Sequence, residues 1–193
     1  ALQCLSLVGP DAAPVPRGSL RLESGVVDML GVDGRLVVLT GADRGRTPAL
    51  LVFDVATPDS PAVVGRREID AATQLLPCAD GRHALVVCSA TGFRWNSLPS
   101  AGSLRVVDLA DPTDPRIVAK VALPATTAAV DGARAVVAVA PSRTEPAGLI
   151  PVDLSDPARP AVGRRVPFHD ALPSRLLLHG DVVYGAAPYG NVW

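Results

Sequence analysis

The chain has few of the residues that most often carry chemistry. Histidine and cysteine occur three times each, methionine once, and Phe, Tyr and Trp together supply only 4% of 193 residues. Of 18 basic residues only Lys120 is lysine, a bias read as genomic base composition rather than phosphate recognition. No Gly-x-Ser-x-Gly, phosphate-binding glycine loop, His-Glu-x-x-His or paired-cysteine motif is present, so no nucleophile, phosphate cradle or zinc set stands at a recognised spacing. The net charge is -1 with both signs interspersed, which leaves no electrostatic footprint for nucleic acid or an anionic membrane. Hydrophobic residues reach 48% and mean hydropathy is +0.30. Even so, no run approaches the roughly 20 apolar residues of a membrane span, and a soluble chain is expected. No stretch keeps a helical period.

Proline and glycine, at 19 and 17, are plentiful, and they fall in a repeat. Val106-Val107-Asp108-Leu109-Ala110-Asp111-Pro112-Thr113-Asp114-Pro115 returns as Phe53-Asp54-Val55-Ala56-Thr57-Pro58-Asp59-Ser60-Pro61 and as Val152-Asp153-Leu154-Ser155-Asp156-Pro157-Ala158-Arg159-Pro160. A worn copy runs from Leu5 to Pro14, with Ser6 in place of the aspartate. Apolar and β-branched residues lead to the aspartate; two prolines then remove backbone donors and fix φ, so neither ladder nor helix continues. Aspartate and serine beside them hydrogen-bond their own backbone and favour a turn. Asp54, Pro58, Pro61, Asp108, Pro112, Pro115, Asp153, Pro157 and Pro160 are therefore assigned to structural turns. Their repetition argues against catalysis, because an active site is needed once and a turn in every unit.

A second element alternates with the first. Asp33-Gly34, Asp80-Gly81 and Asp131-Gly132 each stand between apolar runs, with a shorter echo at His179-Gly180-Asp181, and an Asp-Gly so placed signals a hairpin. Together the elements predict a four-stranded unit: Val26 to Gly31, Arg35 to Thr40, Leu50 to Val55 and Ala62 to Ile69. Ser6, Asp54, Asp108 and Asp153 are separated by 48, 54 and 45 residues. Four short strands per period of about 40 to 50 residues are the signature of propeller blades.

The run of Val-Asp-Leu into Asp-Pro-x-x-Pro, preceded by Asp-Gly-x-x-Val-Val, resembles the LVIVD-repeat family of β-propellers, most clearly at Val106 to Pro115 and Val152 to Pro160. The resemblance covers essentially the whole chain. It implies an all-β propeller of four-stranded antiparallel blades and a secreted or cell-surface bacterial protein, and it brings no catalytic residues. The single domain, 1-193, divides into blades at about 26-70, 73-123 and 126-168, with 175-193 joined to 1-22 as a shared closing blade. Four blades closing into a ring is one expectation. A slice of a larger propeller, or a ring completed by a partner, is the other, and Met29 as the only methionine points to a chain processed or part of something longer. Ala1-Leu2-Gln3-Cys4 fits a lipoprotein cleavage site poorly, since glutamine stands where a small residue is required.

Candidate sites lie on loops of one propeller face. The longest, Ser89 to Ser103, carries Phe93, Arg94 and Trp95, residue types enriched in binding hot spots; Tyr189 and Trp193 occupy the matching terminal segment. The alternative for the long loop is aromatics folded onto their own blade. Glu68, Asp70, His169 and Asp170 form a weaker metal alternative in the central channel, with His179 near, though no ligand motif fits. His83 is expected to face water. Cys78 and Cys88, flanking Asp80-Gly81, are either a bridge between neighbouring strands or two small buried hydrophobes. No cofactor is expected. The functional expectation is a non-enzymatic extracytoplasmic module for a protein partner or larger assembly; an enzyme or metal-dependent ligand site in the channel is the alternative.

Overall fold

The computed structural model describes residues 2-6, 14-42, 47-89, 102-168 and 172-187. Among them every regular element is a strand. The first is β1 (Leu2–Ser6), paired with β2 (Val15–Leu20). A four-stranded meander follows: β3 (Val26–Val32), β4 (Arg35–Thr40), β5 (Ala49–Asp54) and β6 (Ala62–Glu68). The second contains β7 (Ala72–Pro77), β8 (His83–Cys88), β9 (Ser103–Asp108) and β10 (Arg116–Ala122). The third contains β11 (Ala125–Asp131), β12 (Arg134–Val139) and β13 (Gly148–Asp153), closed by β14 (Ala161–Val162) and β15 (Val166–Pro167). The last pair is β16 (Arg175–His179) and β17 (Val182–Ala186). No helix among the described residues is long and apolar enough to cross a membrane.

Successive sheets stack face to face, which explains why the middle strands read as continuous apolar runs. Side chains alternate along a strand. Val37, Leu39, Leu50 and Val52 therefore enter a cluster with Leu75, Val86 and Val107 of the second sheet, while Val38, Leu51 and Phe53 face Leu20 and Leu22 on the other side. The same alternation sends Leu85, Val87, Leu104 and Val106 toward Ala128, Val137 and Ile150 of the third sheet. Leu178 packs on Ala129 and Val136.

The four Asp-Gly or Gly-Asp sites are all hairpin turns, by different geometries. Both central residues are left-handed only at Asp33 (φ 47) and Gly34 (φ 69). Elsewhere glycine alone takes positive φ, at Gly81, Gly132 and Gly180. The outer edge of the third blade is broken into two short strands, β14 and β15. Its partner strand carries Pro151, which has no N–H to give the ladder; the Gly163 amide still reaches the Pro151 carbonyl at 2.8 Å. Where a shared closing blade is expected, β16-β17 and β1-β2 are separate two-stranded sheets among the described residues.

The two readings of Cys78 and Cys88 separate here. Ala72 lies opposite Cys88 and Pro77 opposite Ala84, so the cysteines occupy opposite ends of one hairpin and enter different clusters. Both are free and buried, not bridged. Burial pushes the Cys78 thiol up to about 12 and raises Cys88 as well. In a Cys4→Ser variant, neither remaining thiol is expected to react with a disulfide reagent until denaturant is added. Fast stoichiometric labelling of the native protein would contradict this packing.

Candidate functional site

The repeated aspartates anchor their own turns. Asp54 accepts the Ala56 amide at 2.9 Å, Asp108 the Ala110 amide at 2.9 Å and Asp153 the Ser155 amide at 2.8 Å. Arg82 adds a two-pronged contact to Asp108, Nε to Oδ1 at 2.9 Å and Nη2 to Oδ2 at 2.7 Å. That guanidinium holds the Asp108 carboxyl well below the usual carboxylate range, and the Ser155 hydroxyl lowers Asp153. Asp108 and Asp153, held ionised in this way, have no proton to give near neutral pH.

These turns also wedge the sheets together. The turn beginning at Asp54 lies over Gly18 of β2. A Cβ at Gly18 would stand 2.7 Å from the Asp59 carbonyl oxygen and closer still to that of Pro58. Arg17 grips Asp59 beside it, at 2.8 and 2.7 Å. The turn beginning at Asp108 lies over Gly65 of β6 in the same way, with the Pro112 carbonyl oxygen inside contact distance and Pro115 Cδ at 3.1 Å. Gly65 pairs with Val52, and Ala119 pairs with Val106 in the next sheet, so the two positions correspond. Ala119 packs on the cluster holding Leu154, at the root of the third turn. Gly163, bonded to Pro151, completes the set on the third sheet.

A second set of contacts joins the innermost strands, whose outer edges lack a ladder partner. The Asp28 carboxylate accepts the Leu75 amide of the next sheet at 2.8 Å. Gln74 donates to the Ala128 carbonyl at 3.0 Å and accepts the Ala128 amide at 3.0 Å and the Thr127 hydroxyl at 3.1 Å. Asp28, Gln74 and Thr127 each follow the register shift in their strand and so occupy one structural position. Side chains thus cover free strand edges that would otherwise be left open to another strand. The sequence reading missed Asp28 and Gln74; a polar residue interrupting each apolar first strand was the available signal.

At Gly163 the pattern changes. The three nearest atoms to a Cβ there all belong to Pro151. A groove of about 590 Å³ opens instead, between Asp153, Val162 and Gly163 of the third sheet and Leu178, Asp181 and Val183 of the last hairpin. Arg134 spans its floor to Asp181 at 2.6 Å and to the Gly180 carbonyl at 3.0 Å, and Asp131 accepts the Gly180 amide at 2.8 Å.

Phe93, Arg94, Trp95, His169, Asp170, Tyr189 and Trp193 lie outside the described residues. Glu68 is exposed and stands 3.8 Å from Arg66. Asp70 is exposed and precedes Ala71, whose φ is 56. His179 lies at the hairpin end of β16. His83 corrects the expectation of a water-facing ring: its Nδ1 is 2.5 Å from Asp80, and its side chain is 14% exposed. Asp80 also accepts the Arg82 and His83 amides, which fixes the carboxylate beside the ring. Among the described residues no three His, Cys, Asp or Glu side chains stand together as metal ligands.

No protein-family model and no curated protein matches the chain. Solved structures do. A protein from Lactobacillus plantarum superimposes with a TM-score of 0.62 at 13% identity, over 99% of this chain and 62% of that one. TolB from Acinetobacter baumannii matches with a TM-score of 0.55 at 14% identity, over 93% and 42%. A eukaryotic initiation factor matches with a TM-score of 0.54 at 15% identity, over 77% and 34%. Likeness at this level shows fold alone, and with the stacked four-stranded antiparallel sheets it makes the chain a β-propeller. Each complete sheet is a blade. The chain spans less than two thirds of the length of each of these three structures.

Proposed function

We propose that this propeller is a non-enzymatic binding and assembly module, related to the LVIVD-repeat proteins and working outside the cytoplasm, in a secreted, periplasmic or cell-surface setting. One observation carries the reading: large apolar side chains stay exposed on the two terminal half-blades and the strands beside them. Leu177 is 61% exposed and Met29 53%. Apolar patches of this kind mark protein-interaction surfaces. Phe93, Arg94 and Trp95, of residue types enriched in binding hot spots, supply a second part of the site.

The test is capture by the tagged chain from an extracellular extract of its source, with bound proteins identified by mass spectrometry. Replacing Phe93, Arg94 and Trp95 together by alanine is expected to lose the captured partner while the thermal melt stays in place. Undiminished capture by the triple variant would remove the loop from the site. A chain that captures no other protein would leave this reading without a heterologous partner.

A further inference from the structure

The hairpin turns between the first two strands of each blade meet the next blade in different ways, and at one seam two guanidinium groups share a cavity. Arg35, Arg82 and Arg134 each follow an Asp-Gly turn by one or two residues. At the last seam Arg134 reaches Asp181 at 2.6 Å, and Asp131 takes the Gly180 amide at 2.8 Å. Gly180 and Gly81 correspond, each the positive-φ glycine of its hairpin. The residue after Gly180 is Asp181, whereas the residue after Gly81 is Arg82. Arg35 of the first blade therefore shares its seam with a cation where Arg134 meets a carboxylate. The Gly81 amide is already given to the Cys78 carbonyl at 3.2 Å, so Asp33 does not hold it as Asp131 holds Gly180.

Arg35 and Arg82 line a cavity of about 240 Å³ between the first two blades. Arg35 is half-buried, and its one hydrogen bond runs from Nη1 to the Leu109 carbonyl at 3.4 Å, well beyond the usual length of about 2.9 Å. Asp54, opposite it in the ladder, accepts the Ala56 amide, and among the described residues no carboxylate pairs with Arg35. Arg82 commits Nε and Nη2 to Asp108 and keeps Nη1. A guanidinium half out of water without a counter-charge favours an anion that can hydrogen-bond it. Val32, Val37 and Leu109, all buried, give the cavity an apolar wall. Asp33 lines it too, so a second negative group on a ligand would meet its charge. The volume lies below the range for drug-sized molecules. We propose that this seam binds a small aliphatic monocarboxylate, whose carboxylate bridges Arg35 and Arg82 and whose hydrocarbon tail lies on Val32 and Leu109. The ligand supplies at the first seam the charge that Asp181 supplies at the last. This site is separate from the surfaces assigned to protein capture.

Isovalerate is the probe. Titrated into the 193-residue chain labelled at its valine methyls, it should shift the Val32, Val37 and Val52 resonances saturably, since all three line the cavity. Arg35→Gln should weaken this binding at least tenfold with the thermal melt in place, because the side chain makes only one long bond to its surroundings. Acetate, which lacks the tail, and phosphate, which carries a second charge, should each bind at least tenfold more weakly than isovalerate. No saturable shift of these methyls overturns the proposal. A shift that survives Arg35→Gln undiminished overturns it as well, because the ligand then sits elsewhere. So does equal binding of the three anions, since the apolar wall and Asp33 would then select nothing and the probe would be an adventitious ion only. Should Arg35→Gln lower the melt, the comparison of the three anions on the unaltered chain decides alone.

Discussion

Gly65→Ala is expected to destabilise the protein by about 3 kcal/mol, the upper part of the range for overpacking a closed contact. For a chain of this length that lowers the melting midpoint by about 6-12 °C. The added methyl has no free direction, because it meets the Pro112 carbonyl, and the Asp108 turn that presents this carbonyl is tied to Ala110 and to Arg82. Relief requires the second blade to move away from the first, which loosens the cluster shared by Leu50, Val52, Val86 and Val107. Gly31→Ala is the control: nothing lies within 4 Å of its Cβ, its φ is not in the left-handed region, and a change within about 0.5 kcal/mol is expected. Thermal melts of the two variants check the pair. Equal effects would mean that Gly65 is an ordinary strand glycine and that the turn does not wedge the seam.

Gln74→Leu is expected to cost about 2-3 kcal/mol, although the side-chain volume changes little, because it orphans buried polar groups. The Ala128 amide and carbonyl and the Thr127 hydroxyl lose their partner together. Ala128 is fully buried and Thr127 is 5% exposed, so water replaces the amide poorly. Chemical denaturation measures the loss, and faster exchange of the Ala128 amide places it. Gln74→Glu keeps an acceptor for Ala128 and Thr127 and should cost less. A Leu variant as stable as wild type would mean that these bonds are no stronger than those the strand edge makes to water.

Local signals made the blades legible. Alternation, Asp-Gly turns and paired prolines act within a few residues of themselves, so the strand expected from Val26 to Gly31 is observed as Val26–Val32, and that from Arg35 to Thr40 without change. What escaped the sequence depends on contacts between blades. Gly18 and Gly65 look like unremarked strand glycines until the neighbouring turn is placed on them. Asp28, Gln74 and Thr127 share a position but stand five, six and four residues before their Asp-Gly aspartates, because the hairpin turns differ, so no fixed spacing exposed them. The break after Val162 did have a local sign in Pro151, set in a third strand where the equivalent residues are Val52 and Val106. The aromatic loop could be read only as composition, and composition does not fix the direction of a side chain.

The stack of blades is tested most directly by amide hydrogen exchange on the chain. Strands paired on both sides, β4, β5, β8, β9, β12 and β13, should exchange slowest, while β17 and β1 exchange within the range of frayed edges. That gradient is the predicted result. Protection of β17 and β1 equal to that of β12 would contradict it.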